Sequence, residues 1–527
     1  MSTWPWRSLV LSLALAPVSA AQGIKLNGSL TPSPTGEVGY VRDFLVAPNG
    51  GRVVYAAAQD SPLQVELYSA AFGAGSVKLS APLAPGGDVA DYSLANGRCV
   101  YRANPDGHGV FELFSVPING SQPAVKVSGT LLAGGSVREQ RIAPGGQRVV
   151  FVADAVTDEA LEVFSVLTDG SAPPVRLSGD LVSGGTVLWD TMTIAPDGTR
   201  VVYAASQDVA GVHEVYSVPI DGSAPPIQIG DSALSGSGGH AFTVSADSEW
   251  VVYTSSFAPL ELFSARLDGS SGPHKLSLVP IFNTGVFAFE VTSDSARVVY
   301  VGEHTQSQMH ELFSVPIDGS APAIRLNPVM LTTRDVDAFA LSPDASQVVY
   351  RSDQQVNNRF DLYVVPCDGS AGSTKIVDGS TAYPAAFVFA ENSSQVVFTS
   401  SSGLSIVPSD GSSAPLLLTA GSANPGPVGF QVRGTWAAYT GDLRIDGVNE
   451  LFSVALDGSQ PQHRENGPLV PGGQVVASQV QLPPQDVVVY LADQDSVGHT
   501  ELYFSFLLPH RWSGRADEPT EAVSVRR

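Results

Sequence analysis

Apolar residues fall in bursts of four to six along this chain, parted about every ten residues by Gly, Pro or Asp. One stretch carries the pattern in full. Residues 191–194 read as a short strand closed by the turn Pro196-Asp197-Gly198, where Pro presets φ and Asp and Gly tolerate the reversal. Residues 200–204 read as a second strand, β-branched and aromatic. The polar Ser206-Gln207-Asp208 leads to a third strand over 213–218, and the turn Asp221-Gly222-Ser223 to a fourth over 227–229. Short strands at this spacing predict antiparallel all-β structure. No stretch carries the period of an amphipathic helix.

The unit recurs. Its second strand ends on an aromatic anchor: Tyr55, Tyr101, Phe151, Tyr203, Tyr253, Tyr300, Tyr350, Phe398, Tyr439 and Tyr490. Successive anchors lie 46, 50, 52, 50, 47, 50, 48, 41 and 51 residues apart, so ten units fill the chain. A period near 50 with four strands per unit predicts a β-propeller, each sheet burying both faces against its neighbours. The ends complement one another. Gly23-Ile24-Lys25-Leu26-Asn27-Gly28 copies the fourth-strand phrase with no first three strands before it, while Thr500-Glu501-Leu502-Tyr503 is a third strand with no fourth after it. The N-terminal strand therefore completes the last blade and removes two exposed edges together. Ten blades exceed the usual four to eight, so the alternative is two smaller propellers in tandem, divided near 399–441.

Residues 1–20 have the form of a signal peptide, with Arg7 ahead of an apolar stretch and Val18-Ser19-Ala20 as the cleavage site. The propeller is expected over 21–508, with a flexible polar tail over 509–527. Export to the periplasm or the medium follows, and no later stretch is long and apolar enough to span a membrane. A net charge of −23 argues against nucleic acid. Cys99 and Cys367, in different units, make no disulfide framework.

Pro-Asp-Gly, an apolar-aromatic strand, Glu-Val-Tyr-Ser-Val and Asp-Gly-Ser occur in order at Pro196, Val201, Glu214 and Asp221. This combination resembles the TolB-like propeller repeat, over nearly all of the chain after the leader. The resemblance implies a propeller of the kind used as periplasmic scaffolds and as peptidase domains. TolB carries a small α/β domain ahead of its propeller, whereas these repeats begin beside the leader. The peptidases add an α/β-hydrolase domain with a Gly-x-Ser-x-Gly elbow, and no such elbow occurs here.

Third strands carry acids at Glu66, Glu112, Glu162, Glu214, Glu261, Glu311, Asp361, Glu450 and Glu501, and fourth strands carry Lys25, Lys78, Lys126, Arg176, Lys275, Arg325 and Lys375. These are expected to pair across each outer strand couple. Residues heading the first strands are the candidate ligand-binding site: Asp43, Asp91, Glu139, Asp190, His240 and Asp337, which would gather at one mouth of the channel and attract a cation or a basic segment. Asp493-Gln494-Asp495-Ser496-Val497-Gly498 places acids as a Ca²⁺ loop does, without the closing bidentate acid. No catalytic residue and no cofactor are assigned, with Ca²⁺ or another divalent ion as the exception left open. The expected function is a non-catalytic scaffold, monomeric, binding a protein or glycan at the channel mouth and not an enzyme. The alternative is a polysaccharide lyase or hydrolase with a metal in the funnel.

Overall fold

The structure, a computed structural model, describes residues 23–507 except 33–37, 157–159, 235–241, 256–258, 280–284, 306–308, 332, 420–428, 445–446 and 485. The leader, the tail and His240 lie outside the described residues.

Ten four-stranded antiparallel sheets form a ten-bladed propeller, numbered here by the anchors in chain order. Blade 1 runs Val41–Val46, Arg52–Ala57, Glu66–Ala71 and Ser76–Lys78, in sheet order. First strands of neighbouring blades approach one another, as between Asp88–Ala95 and Val137–Ile142, so first strands converge on the axis. The ends join as expected. Ile24–Lys25 pairs antiparallel with Glu501–Phe506 and completes blade 10.

The anchors are the reason the blades stack. Each is at most 1% exposed. In nine blades the anchor faces an aromatic directly across the ladder, with ring centroids 5.3–5.8 Å apart. Blade 8 differs, since Phe398 faces Ser405 in its shortened unit. Ten apolar clusters fill the ring, one for each of the ten blade interfaces. The cluster joining Tyr55 and Phe44 of blade 1 to Val489 and Phe504 of blade 10 closes the circle, and Phe398 of blade 8 packs with Val349 of blade 7 without a break. Two tandem rings would each close on themselves and lack either the contact between blades 10 and 1 or a contact between consecutive blades; all are present, so that alternative is excluded.

Third-strand acids meet fourth-strand bases. Arg176 lies 2.9 Å from Glu162, Arg325 2.8 Å from Glu311 and Arg464 3.1 Å from Glu450. Lys25, Lys78, Lys126 and Lys275 pair with Glu501, Glu66, Glu112 and Glu261. The bases stand diagonal to the acids; Arg325 is opposite Phe313, two residues along from Glu311. Cys99 and Cys367 are free and buried in different interfaces.

Candidate functional site

Each first strand begins at the end of the ring that also bears the loops between second and third strands. A one-residue bulge interrupts the start of several of them, shifting the register between Val41 and Asp43, Val89 and Asp91, and Val286 and Ala288. Bulges re-aim side chains here, so residues heading the first strands do not all hold one position. Asp43, Asp91 and Glu139 hold one position in blades 1 to 3, opposite Ala56, Arg102 and Val152. Asp337 is instead the bulged residue of blade 7.

Arginines reach most of these first-strand carboxylates. Arg42 Nε donates to Asp43 over 2.6 Å and Arg102 Nε to Asp91 over 2.8 Å. Arg351 forks onto both oxygens of Asp337, each at 2.8 Å. Arg141 donates to Glu139 over 3.1 Å. The same arginines staple blades together: Arg42 Nη1 donates to Val89 O (2.7 Å), Arg102 Nη1 to Val137 O (3.1 Å) and Arg351 Nη1 to Ala385 O (2.7 Å). Arg351 also lies over the rings of Tyr383 and Phe360, and Arg102 over Phe111. These arginines were missed in the sequence, yet a signal exists. Arg102 and Arg351 each follow an anchor, where other blades carry Ala, Val, Thr or Leu.

Blades 2 to 4 border an open hollow of about 520 Å³ lined by Asp91, Tyr92, Glu139, Arg141, Trp189 and Asp190, among others. It unites three of the expected residues. Gln140 ties its floor together, donating to Asp91 (3.3 Å) and accepting from Ser93 Oγ (2.7 Å). Asp190 stands in the left-handed region at φ 66°, unusual for a residue with a Cβ. Its N–H donates to Glu139 Oε2 of the neighbouring blade over 2.8 Å. That conformation interrupts the first strand of blade 4, which keeps only Thr193–Ile194 of the predicted 191–194. It also leaves Trp189 61% exposed at the rim. Burial holds the Glu139 carboxyl above its usual range, with the Asp190 charge adding to the shift against the N–H and Arg141.

A larger hollow, about 680 Å³, opens at the opposite end between blades 3 and 4. Its acids are occupied by their own turns, Asp197 accepting from Thr199 N and Asp221 from Ser223 N, both at 2.9 Å. The calcium-like loop is occupied likewise: Asp493 accepts from Gly498 N over 3.0 Å and Asp495 pairs with Lys25 over 2.9 Å. Among the described residues, no group of three or more His, Cys, Asp or Glu is arranged to hold a metal. No helix among them is long and apolar enough to cross a membrane.

No protein-family model and no curated protein matches this chain. The ring is similar to solved peptidase structures. One is a prolyl endopeptidase, 10% identical over 68% of this chain and 55% of that one, with a TM-score of 0.36. Another is Porphyromonas gingivalis dipeptidyl peptidase 4, 12% identical over 77% of this chain and 65% of that one, at 0.44. The chain thus spans less than two thirds of either. The expectation of a non-catalytic scaffold that is not an enzyme is corrected to this extent: the solved structures that the ring resembles are those of peptidases. Likeness at this level speaks to the propeller alone, and the chemistry must be argued from the rim.

Proposed function

We propose that this propeller serves peptide hydrolysis as a substrate-selecting ring, taking up polypeptide segments at the rim of blades 2 to 4. The observation that carries the reading is the hollow around Trp189, where an exposed indole stands beside matched acid–arginine pairs. Such a surface offers an apolar platform for a side chain and fixed donors and acceptors for a peptide backbone. First strands are the edge strands of their sheets and lie alongside, a setting suited to an extended chain.

The test is isothermal titration of the chain with a library of capped tripeptides, alongside mass spectrometry of the same peptides for cleavage. Binding that weakens at least tenfold in Trp189→Ala, with an unchanged thermal midpoint, is the expected result. Absence of both binding and cleavage at millimolar peptide would end the reading.

The blade phrase supports kinship with TolB-like propellers, and the leader-like residues 1–20 support export. Amino-terminal sequencing of the protein made with its leader should begin at Ala21; an intact Met1 would refute export.

A further inference from the structure

The charges of the rim hollow balance except at one place. Arg102 neutralises Asp91 and Arg141 neutralises Glu139. Arg138, also at the hollow, leans 3.9 Å from Asp154. Asp190 differs. Its backbone is held by Glu139, but among the described residues no cation lies within 4 Å of its carboxylate. Directly before it in sequence stands Trp189, the most exposed aromatic among the large apolar residues described. A carboxylate without a counter-ion and an exposed indole, side by side in an open hollow, suit a cation on an apolar stem: the charge pairs with the acid while the stem covers the ring.

Resting on the peptide reading above, we infer that Trp189 and Asp190 form a subsite for a lysine or arginine side chain of the bound polypeptide. Three further features agree. The Asp190 charge sits against Glu139, itself buried and held above the usual carboxyl range, so an arriving cation relieves repulsion between the two acids. Arg141 is turned to Glu139 and so does not compete for Asp190. The chain carries a net charge of −23, which steers basic segments towards it and raises their encounter rate at low salt.

The experiment compares three capped tripeptides that differ at the centre, acetyl-Ala-X-Ala-amide with X as lysine, norleucine or glutamate. Each is titrated against the full chain, Asp190→Asn and Trp189→Ala, with n-butylammonium as a probe independent of any peptide. Asparagine tolerates the left-handed conformation that position 190 requires, so Asp190→Asn keeps the backbone and removes only the charge. Expected is lysine binding at least tenfold tighter than norleucine, an advantage erased in Asp190→Asn, reduced in Trp189→Ala and weakened by salt. Equal affinity for lysine and norleucine overturns the subsite and leaves the peptide reading standing, and preference for glutamate overturns it in favour of the arginines. Should no tripeptide bind, the peptide reading falls. The subsite is then decided by n-butylammonium, whose binding must depend on Asp190 to sustain it.

Discussion

Single residues decide how charge is housed in this ring. Glu311 is fully buried, accepts from Arg325 over 2.8 Å and receives the Thr305 hydroxyl. Removing one member of a buried pair costs roughly 3–5 kcal/mol. Arg325 is 28% exposed and can regain water, which puts Glu311→Ala near the low end. We expect a loss of about 3 kcal/mol in urea unfolding; a loss under about 0.5 kcal/mol would show the pair to be ornamental. The acid and base of each outer couple were legible because they recur at fixed places in the phrase. The rim pairs were not. Asp337 and Arg351 meet only because a bulge turns one strand against its neighbour, and a bulge leaves no mark in the hydrophobic pattern. Nor does anything in the letters Trp189-Asp190 announce a left-handed residue.

Elements are joined by side chains that imitate strands. Gln481 of blade 10 donates to Phe44 O and accepts from Val46 N of blade 1, both at 3.2 Å, standing in for a ladder between first strands. Gln431 does the same for blade 10, donating to Val480 O (2.7 Å) and accepting from Leu482 N (3.2 Å). At the outer edge the closing strand depends on Asn27. Its Oδ1 accepts from Leu502 N over 2.8 Å, and Nδ2 donates to Gly28 O at the same distance. Asn27→Ala leaves the buried Leu502 N–H without that acceptor, a penalty of about 1–3 kcal/mol. Because Asn27 belongs to the last blade and sits at the start of the chain, hydrogen exchange should quicken in Val487–Ala492 and Glu501–Phe506 together. Exchange that quickens only near Asn27 would contradict closure by this strand.

Across the whole molecule two sets of carboxyls pull stability in opposite directions with pH. Asp169, Asp221, Asp268, Asp318, Asp368, Asp410 and Asp457 each accept from the Ser two residues on, and those bonds lower their pKa values. A lowered carboxyl lends stability above its unfolded pKa and loses it as pH falls through the folded one. Burial raises Glu139 and Glu290 instead, so they favour the fold below the unfolded value and cease to as pH rises through the folded one. The net charge of −23 also repels itself less as acid is added. The urea midpoint should therefore peak at mildly acidic pH, about 4 to 5, and drop steeply below about 3.5. A midpoint that climbs steadily from pH 4 to 8 would contradict this balance.

The sequence by itself determined the blade, the number of blades and the meeting of the two ends. Each of these follows from local turn chemistry and from an apolar anchor that must be covered on both sides, and both repeat in every unit. One ring rather than two was decided only by tertiary structure, since closure depends on which sheet packs on which and an unbroken run of similar units is compatible with either. The candidate site was decided there too. Bulges, a left-handed Asp190 and arginines reaching between blades bring together residues from three units, and contacts of that kind arise between repeats rather than within one.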